Sequence, residues 1–228
     1  MKGRDSSKYK NWMKYADYLR TGQWHIHTNY TDGENSVDDC CQQAIASKIP
    51  LVVFSEHVRR NLDYDFNALQ REIELARQKY PGLIILSGCE AKVLVTGELD
   101  VTQEVLDLSE IVLMAFHSFP ADGYLYYQAL KVALTNPKVD IWAHPGLFLV
   151  RNNIMIEMDF LKEIFEIAAR YNVLIELNAR YNMPPNEWMS ILRGKIDLVR
   201  GDDIHSLEDF RRASRNQASL SPVAETGS

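Results

Sequence analysis

Two histidines, His25 and His27, stand two residues apart at the end of a short apolar segment, and Asp32 follows them closely. If the apolar segment is a β-strand, both imidazoles point to the same face, because side chains alternate between the two faces of a strand. The turn-forming residues Asn29 and Gly33 would then end the strand and begin a loop. Two imidazoles on one face, with a carboxylate just beyond them, could form one side of a metal site.

The other histidines and several carboxylates have a similar placement. All six histidines lie at or just after the carboxyl end of a predicted strand. A single histidine is more often structural than functional, but this shared placement favours a functional cluster. Because the set exceeds what one ion needs and suits zinc, manganese or iron, we expect two or three divalent metal ions bridged by Glu90. The nine candidate ligands are the six histidines, His25, His27, His57, His117, His144 and His205, together with Asp32, Glu90 and one of the adjacent pair Asp202 and Asp203.

Regularly spaced apolar runs predict the elements that position these residues. The runs are dense, which is typical of strands that are buried on both faces in a parallel sheet. The predicted strands are 23–28, 51–55, 83–88, 111–116, 139–143, 173–178 and 196–200. Helical patterns lie between them, at 37–48, 66–80, 124–135 and 158–171, with less regular ones at 99–108 and 186–193.

This alternation predicts an α/β fold built from repeated βα units. The first strand is not followed by the Gly-x-Gly-x-x-Gly pattern of an open dinucleotide-binding sheet. A closed or distorted seven-stranded, TIM-like barrel therefore fits better. In such barrels the carboxyl ends of the strands carry the active site, which is where the histidines are expected.

Composition divides the chain into a single domain with two flanking segments. Residues 1–22 are basic and rich in tyrosine, and their apolar spacing predicts a short amphipathic helix that leads into the domain. The domain itself is expected to span residues 23–212, with its last helix beginning near Ser206. Residues 213–228 are small and polar and are expected to form a flexible tail.

The bulk properties restrict the class of protein. The net charge is −6, so a general nucleic-acid-binding surface is not the first expectation. The sequence contains no apolar run of about 18 residues and no signal-peptide pattern at its start. The three cysteines, two of them adjacent, are expected to be free thiols in a reducing compartment. We therefore expect a cytoplasmic protein that does not contact a membrane; its oligomeric state is not predicted.

Short motifs surround the candidate ligands and follow one another in a fixed order from residue 23 to about residue 210. They are His25-Ile26-His27-Thr28 with Thr31-Asp32-Gly33, Ser55-Glu56-His57, Gly88-Cys89-Glu90, Ala115-Phe116-His117-Ser118, Ala143-His144-Pro145-Gly146, Ile175-Glu176-Leu177-Asn178 and Asp203-Ile204-His205-Ser206. Together they resemble the PHP (polymerase and histidinol phosphatase) superfamily. The segment Gly97-Glu98-Leu99-Asp100 further resembles the small stand-alone PHP phosphatases and the PHP domain of bacterial family X DNA polymerases.

The resemblance implies a distorted seven-stranded barrel that holds up to three metal ions. It assigns His25, His27, Glu90 and Asp203 to the first ion. The second ion would share Glu90 and add His117 and His144, and the third would take Asp32, His57 and His205. The chain departs from the family at Gln23, where an acidic residue is common, and at Ser55-Glu56-His57, which often reads Thr-Asp-His.

The resemblance also implies a hydrolase that acts on phosphoric ester bonds through a metal-activated water, without a serine or cysteine nucleophile. We expect Glu90, Asp203 and His205 to take part in catalysis. An arginine side chain suits a phosphoryl group because its planar fork donates two hydrogen bonds. The candidates for substrate binding are Arg151, Arg59 and Arg180, with Arg60 beside the second; Arg151 is the first choice because a basic residue is common after the family's His-Pro motif.

The favoured function is a phosphomonoesterase that acts on a small phosphorylated metabolite. The acidic net charge and the absence of an attached polymerase or RNA-binding segment favour it over a phosphodiesterase or 3′–5′ exonuclease acting on nucleic acid. A histidinol phosphatase ranks lower, because the chain is short for that group. A non-catalytic, metal-stabilised interaction module is a further alternative, although all nine ligand positions are retained.

Overall fold

The computed structural model describes residues 9–192, 194 and 196–219 of the chain. Seven parallel strands form one sheet in sequence order, so each strand pairs with the next one along the chain. All seven strands predicted from the sequence are present. They are β1 (Gln23–Ile26), β2 (Leu51–Val58), β3 (Ile84–Lys92), β4 (Ile111–Ala115), β5 (Ile141–Trp142), β6 (Leu174–Leu177) and β7 (Leu198–Arg200).

The sheet curls until its last strand approaches its first. Just beyond the end of β7, Ile204 forms a parallel bridge with Ile26 of β1. The backbone N–H of His27 donates to the carbonyl of Ile204 over 2.8 Å, and the N–H of Ile204 donates to the carbonyl of His25 over 3.0 Å. These bonds nearly close the barrel and confirm the predicted fold class.

Helices follow the strands and cover the outside of the barrel. The helix that contains Cys40 and Cys41 begins with a capping box between Ser36 and Asp39. Both cysteines and Cys89 are buried free thiols. No helix within the described residues is long and apolar enough to cross a membrane. The helices are α1 (Val37–Ala46), α2 (Phe66–Lys79), α3 (Gln103–Leu108), α4 (Gly123–Leu134), α5 (Leu147–Arg151), α6 (Met158–Arg170), α7 (Asn186–Leu192) and α8 (Leu207–Ser219).

Two of these helices differ from the sequence-based expectation. The short helix α5 was not predicted; it follows the segment that carries His144 and places Arg151 in its last turn. Helix α8 continues to Ser219, so it includes residues 213–219, which the sequence assigned to the flexible tail. The rest of that tail, residues 220–228, lies outside the described residues.

Alternating side chains of the strands form two apolar layers. Leu51, Val53 and Leu113 belong to a cluster that contains no residue of α1–α8, which places it inside the barrel. Val52 and Phe54 belong to the larger cluster between the strands and the helices. Because the interior is filled at the amino-terminal ends of the strands, only the opposite end is left for polar side chains.

The segment before β1 closes the amino-terminal end of the barrel. It forms a 3₁₀ helix at Asn11–Tyr18, with a kink at Tyr15, where the sequence predicted a short amphipathic helix. Trp12 is buried against the inner apolar cluster, and its indole N–H donates to the carbonyl of Asn172 over 3.0 Å. The ammonium of Lys10 is also buried and donates to the carbonyl of Val139 over 2.6 Å.

Strand β1 contains one residue more than the segment of β2 that it faces. Gln23 is opposite Val52 and Ile26 is opposite Phe54, so the register shifts between the two pairs. Such a bulge turns side chains out of strict alternation. Trp24 accordingly packs in the inner cluster, whereas Ile26 packs in the outer one.

Candidate metal centre

Glu90 lies at the middle of a cluster of imidazoles. Its side chain is fully buried in β3, and the side chains of five histidines surround its carboxylate. A carboxylate shared by so many nitrogens can serve as a ligand to more than one metal ion. The distances from its oxygens are 2.8 Å to His57 Nδ1, 2.9 Å to His144 Nε2, 3.3 Å to His117 Nε2, 3.5 Å to His25 Nε2 and 3.6 Å to His27 Nε2.

Asp203 completes one side of this cluster. Its Oδ1 lies 3.1 Å from Nε2 of His27 and 3.3 Å from Nε2 of His25, and those two nitrogens are 3.0 Å apart. The backbone of Asp203 has φ of +52°, and that of His144 has φ of +30°. Both values lie in the left-handed region, which residues other than glycine adopt only in a small minority of cases.

Asp32 forms the other side of the cluster. Its Oδ2 lies 3.3 Å from Nε2 of His205 and 3.4 Å from Nε2 of His57. The loop that carries Asp32 is held by Glu56, whose carboxylate accepts hydrogen bonds from the N–H of Thr28 over 2.8 Å and from the hydroxyl of Thr31. The buried Glu56 therefore positions an exposed ligand.

All nine residues predicted as ligands are brought together in overlapping groups. Within each group the ligand atoms lie within 4.8 Å of one another. The grouping differs in detail from the assignment that the resemblance implies, because His27 also joins the Asp32 group, and His25 and His57 each belong to two groups. The groups are His27–Asp32–His57–His205, His25–His27–Asp203, His25–Glu90–His144 and His57–Glu90–His117.

The cluster contains buried polar atoms that no protein group satisfies. Among the described residues, the buried side-chain atoms without a hydrogen-bond partner are Nδ1 of His27, Nδ1 of His57, Oε2 of Glu90 and one amide nitrogen of Gln70. The His57 and Glu90 atoms are close together, yet the geometry does not make a hydrogen bond. Leaving such atoms unpaired costs free energy, and metal coordination would remove that cost. The donor set therefore fits a metal centre.

The carboxylates of the cluster stabilise positive charge on the groups around them. Burial lowers the pKa of His57, but the adjacent carboxylates of Asp32 and Glu90 outweigh it and raise that pKa to about 10. Burial would raise the pKa of Glu90, but the charges of His117 and His25 hold it well below its usual range. Divalent cations supply the same positive charge once the histidines are deprotonated.

Glu176 supports the centre although it is not among the predicted ligands. This fully buried residue of β6 lies with Oε1 2.7 Å from Nδ1 of His25. Its other oxygen accepts a hydrogen bond from the backbone N–H of His144 and one from the amide of Asn178 over 3.2 Å. A hydrogen bond from Nδ1 of His25 to this carboxylate directs the lone pair of Nε2 towards the centre. The signal in the sequence was an acidic residue inside a buried strand.

Gln23 occupies the position where the family often has an acid, and its side chain forms hydrogen bonds with Asp202. The amide of Gln23 donates to the carboxylate of Asp202, and the N–H of Asp202 donates to Oε1 of Gln23 over 3.0 Å. This reciprocal pair ties β1 to the segment after β7. It also turns the carboxylate of Asp202 away from the cluster, so that only the neighbouring Asp203 reaches it.

A pocket of about 210 Å³ opens beside the cluster. Six members of the cluster belong to its lining, namely Asp32, His57, His117, His144, Asp203 and His205. Arg151 is the one predicted substrate-binding residue in its lining, and its guanidinium carbon lies 4.9 Å from the centroid of the Tyr181 ring. The lining outside the nine-residue cluster consists of Phe116, Leu147, Phe148, Arg151, Asn152 and Tyr181.

The other predicted arginines lie outside the lining of this pocket. Arg59 donates to its neighbouring carbonyl and faces Asp100 at 3.9 Å, and Arg60 pairs with an acid as well. Arg180 donates to the carbonyl of Asp203 over 2.6 Å. In contrast, Arg151 has no carboxylate within 4.0 Å in the part of the chain that the structure describes.

Comparison with known proteins establishes the family. The model of the PHP domain matches residues 23–180, which cover most of the barrel. The chain therefore belongs to the PHP family. A structure from Listeria monocytogenes, described provisionally as a histidinol phosphatase, superposes with a TM-score of 0.68 at 14% identity and covers 86% of this chain and 99% of its own. At that identity the likeness shows the fold alone.

Two relatives with curated names show what proteins of similar sequence are called. The DNA polymerase/3′–5′ exonuclease PolX of Bacillus subtilis is 28% identical over 197 residues, which are 82% of this chain and 34% of the polymerase. A protein of Yersinia enterocolitica named as a probable phosphatase is 28% identical over 159 residues, which are 68% of this chain and 62% of that protein. The chain thus spans about a third of the polymerase and somewhat under two thirds of the Yersinia protein.

Proposed function

We propose that this protein is a metal-dependent phosphoester hydrolase, and specifically a phosphomonoesterase that acts on a small phosphorylated molecule. One observation carries the proposal. A buried carboxylate, Glu90, is surrounded by five imidazoles beside a pocket whose lining includes Arg151, a cation without a carboxylate partner among the described residues. A metal centre next to an unpaired guanidinium suits a phosphate monoester dianion.

The nine-residue cluster would hold two or three divalent ions, of zinc, manganese or iron. His25, His27, Glu90 and Asp203 would hold the first. Glu90 would share the second with His117 and His144, and Asp32, His57 and His205 would hold the third. When bound, such ions lower the pKa of water and neutralise charge that develops on phosphoryl oxygens.

The protein groups divide the remaining work. Arg151 donates hydrogen bonds to the phosphoryl oxygens and holds phosphorus beside the centre. Glu90, Asp203 and His205 would hold the ions that activate the attacking water. In the reaction a new P–O bond forms to the water oxygen and the ester P–O bond breaks, while the water gives up one proton and the leaving oxygen takes up one.

The first experiment compares p-nitrophenyl phosphate with bis(p-nitrophenyl) phosphate, after purification without chelator and with manganese or zinc supplied. We expect the monoester to be hydrolysed much faster, and metal analysis to find two to three transition ions per chain. Folded protein without metal would contradict the metal centre. A metal-loaded protein that cleaves neither ester would favour the interaction module.

The variant Glu90→Ala tests the shared carboxylate. We expect turnover to fall by orders of magnitude, because the residue contacts most of the cluster, while the circular dichroism spectrum remains that of the wild type. The exposed acid Glu187 of α7 offers a matched control, since Glu187→Ala removes a carboxylate that lies away from the pocket. Activity of Glu90→Ala close to that of the wild type would refute the bridging role.

A 3′–5′ exonuclease remains the second candidate, because the Bacillus subtilis relative carries that activity in its name. An extended single strand would need a basic groove, whereas Arg59 and Arg60 pair with acids and Arg180 contacts the carbonyl of Asp203. Digestion of labelled single-stranded DNA distinguishes the two candidates. Degradation at a rate comparable to that of the monoester would favour the nuclease.

A further inference from the structure

Three of the residues that line the pocket outside the metal cluster are apolar. Phe116, Leu147 and Phe148 are 5%, 8% and 6% exposed, so each shows only a small part of its side chain to the pocket. Phe116 and Phe148 are held by packing against Tyr126, at ring-centroid distances of 4.2 and 6.0 Å. A substrate whose phosphorus lies at the cluster would place its leaving group against this rigid apolar surface.

The charges in the lining are distributed unequally. Among the described residues of the lining, the carboxylates are those of Asp32 and Asp203, and both belong to the metal cluster. Outside the cluster the lining carries one positive charge, that of Arg151, and one amide, that of Asn152. No acid in this lining is left to pair with a positive charge on a leaving group.

The aromatic rings do not replace the missing acid. A ring face can attract an ammonium group, but the face of Tyr181 is already covered by the guanidinium of Arg151 at 4.9 Å. The rings of Phe116 and Phe148 each contact both Tyr126 and Phe119. An ammonium group in the pocket would therefore lose water without gaining a partner, and Arg151 would repel it.

We propose that this pocket selects phosphate monoesters with an uncharged, largely apolar leaving group and rejects those that carry an ammonium group. The inference rests on the proposed phosphomonoesterase function and adds the class of substrate. It separates this protein from enzymes whose substrate is an amino alcohol phosphate. The selecting residues are Phe116, Leu147, Phe148, Arg151 and Asn152.

A matched pair of esters tests the selection. The compounds 4-propylphenyl phosphate and 4-(2-aminoethyl)phenyl phosphate have the same shape, and a methyl group in one replaces an ammonium group in the other. The charge is remote from the ester oxygen, so the two leaving groups depart with similar ease. We expect kcat/KM with the metal-loaded protein to be at least tenfold higher for the propyl ester. Equal values, or a preference for the ammonium ester, would overturn the inference and leave the proposed function intact.

A charge added to the pocket should weaken the selection. Asn152→Asp places a carboxylate in the lining, and we expect the ratio of the two kcat/KM values to fall at least threefold. Asn153→Asp is the matched control, because it adds the same charge at the next residue, outside the lining. An unchanged ratio in Asn152→Asp, or an equal fall in both variants, would contradict the assignment of this surface.

Binding of non-hydrolysable analogues separates failure of the inference from failure of the proposed function. In the corresponding benzylphosphonates a methylene group replaces the ester oxygen, and calorimetry measures their affinity without turnover. If neither ester is hydrolysed but the propyl phosphonate binds at least tenfold more tightly, the recognition stands and the hydrolase proposal fails. Equal affinities would overturn the inference whether or not the esters react.

Discussion

The carboxylate of Glu176 lies 2.7 Å from Nδ1 of His25, on the side of the imidazole that faces away from Glu90. The same carboxylate accepts a hydrogen bond from the backbone N–H of His144. One buried acid of β6 thus orients a histidine of β1 and a histidine of the segment that follows β5. Such partners raise the basicity of a ligand and fix its orientation.

Replacing Glu176 by glutamine should weaken metal binding while the barrel stays folded. The amide keeps the size of the side chain but removes the charge that orients His25, and changes of this kind cost about 10- to 100-fold in metal affinity. Competition with a chromophoric chelator measures the affinity. The exposed Glu187→Gln of α7 is the control. Affinity equal to that of the wild type would show that Glu176 does not act through His25.

Adding a methyl group at residue 201 should also weaken metal binding, because it would displace Glu176. A Cβ atom on Gly201 would lie 2.0 Å from Oε1 of Glu176, so this buried carboxylate would have to move. We expect Gly201→Ala to lose metal affinity and activity together. Gly82→Ala is the control, because its Cβ would meet nothing within 4 Å. The prediction fails if the two alanine variants bind metal equally well.

Removing the charge of Arg151 should impair substrate binding more than metal binding. Loss of a charge-assisted hydrogen bond costs about 1.5–3 kcal/mol, so kcat/KM for a phosphate monoester should fall about 10- to 100-fold in Arg151→Gln. Inhibition by inorganic phosphate should weaken in parallel. Arg59→Gln removes a guanidinium that faces Asp100 outside the pocket, and a comparable loss in that variant would contradict the assignment.

Asp140 should make the stability of the fold depend on pH. Burial raises its pKa from 3.8 to about 7, against the opposing effects of a hydrogen bond from Val112 and the charges of Lys10 and Lys138. The folded protein therefore retains a proton that the unfolded chain loses between about pH 4 and 7. Because the unfolded chain binds fewer protons in this range, stability falls as the pH rises through it.

The variant Asp140→Asn tests this dependence. Asparagine keeps an oxygen that can accept the N–H of Val112 but cannot ionise, so its stability relative to the wild type should improve between pH 4 and 7, by a few kcal/mol at most. Urea unfolding of both proteins at several pH values measures the difference. Two profiles that remain parallel from pH 4 to 8 would contradict the prediction.

The sequence was sufficient to predict the strands and the nine clustered residues. The strands follow from apolar runs such as Leu51–Phe54, which no surface segment would contain, and their order follows from the repeated βα pattern. The order among the arginines, with Arg151 first, rested on the family resemblance and not on any physical property of these residues. The physical reason comes from the fold, which brings Asp100 to Arg59 and leaves Arg151 without an acid within reach among the described residues.

Other features depend on contacts between distant segments. Glu176 resembles an ordinary strand residue until β6 and β1 bring it against His25. The short helix α5 has too few residues for a periodic pattern, and the positive φ of Asp203 follows from the way the chain turns after β7. These features become apparent only in the folded barrel, where the distant segments are in contact.

That closure has a consequence for how the protein is made. His25 and Asp203 lie 3.3 Å apart but belong to opposite ends of the domain, joined through the bridge between Ile26 and Ile204. During synthesis His25 is therefore made well before Asp203, the carboxylate that it faces in the folded protein. A complete centre can form only after the final strand has been released from the ribosome, so acquisition of metal is expected to be a late event in biogenesis.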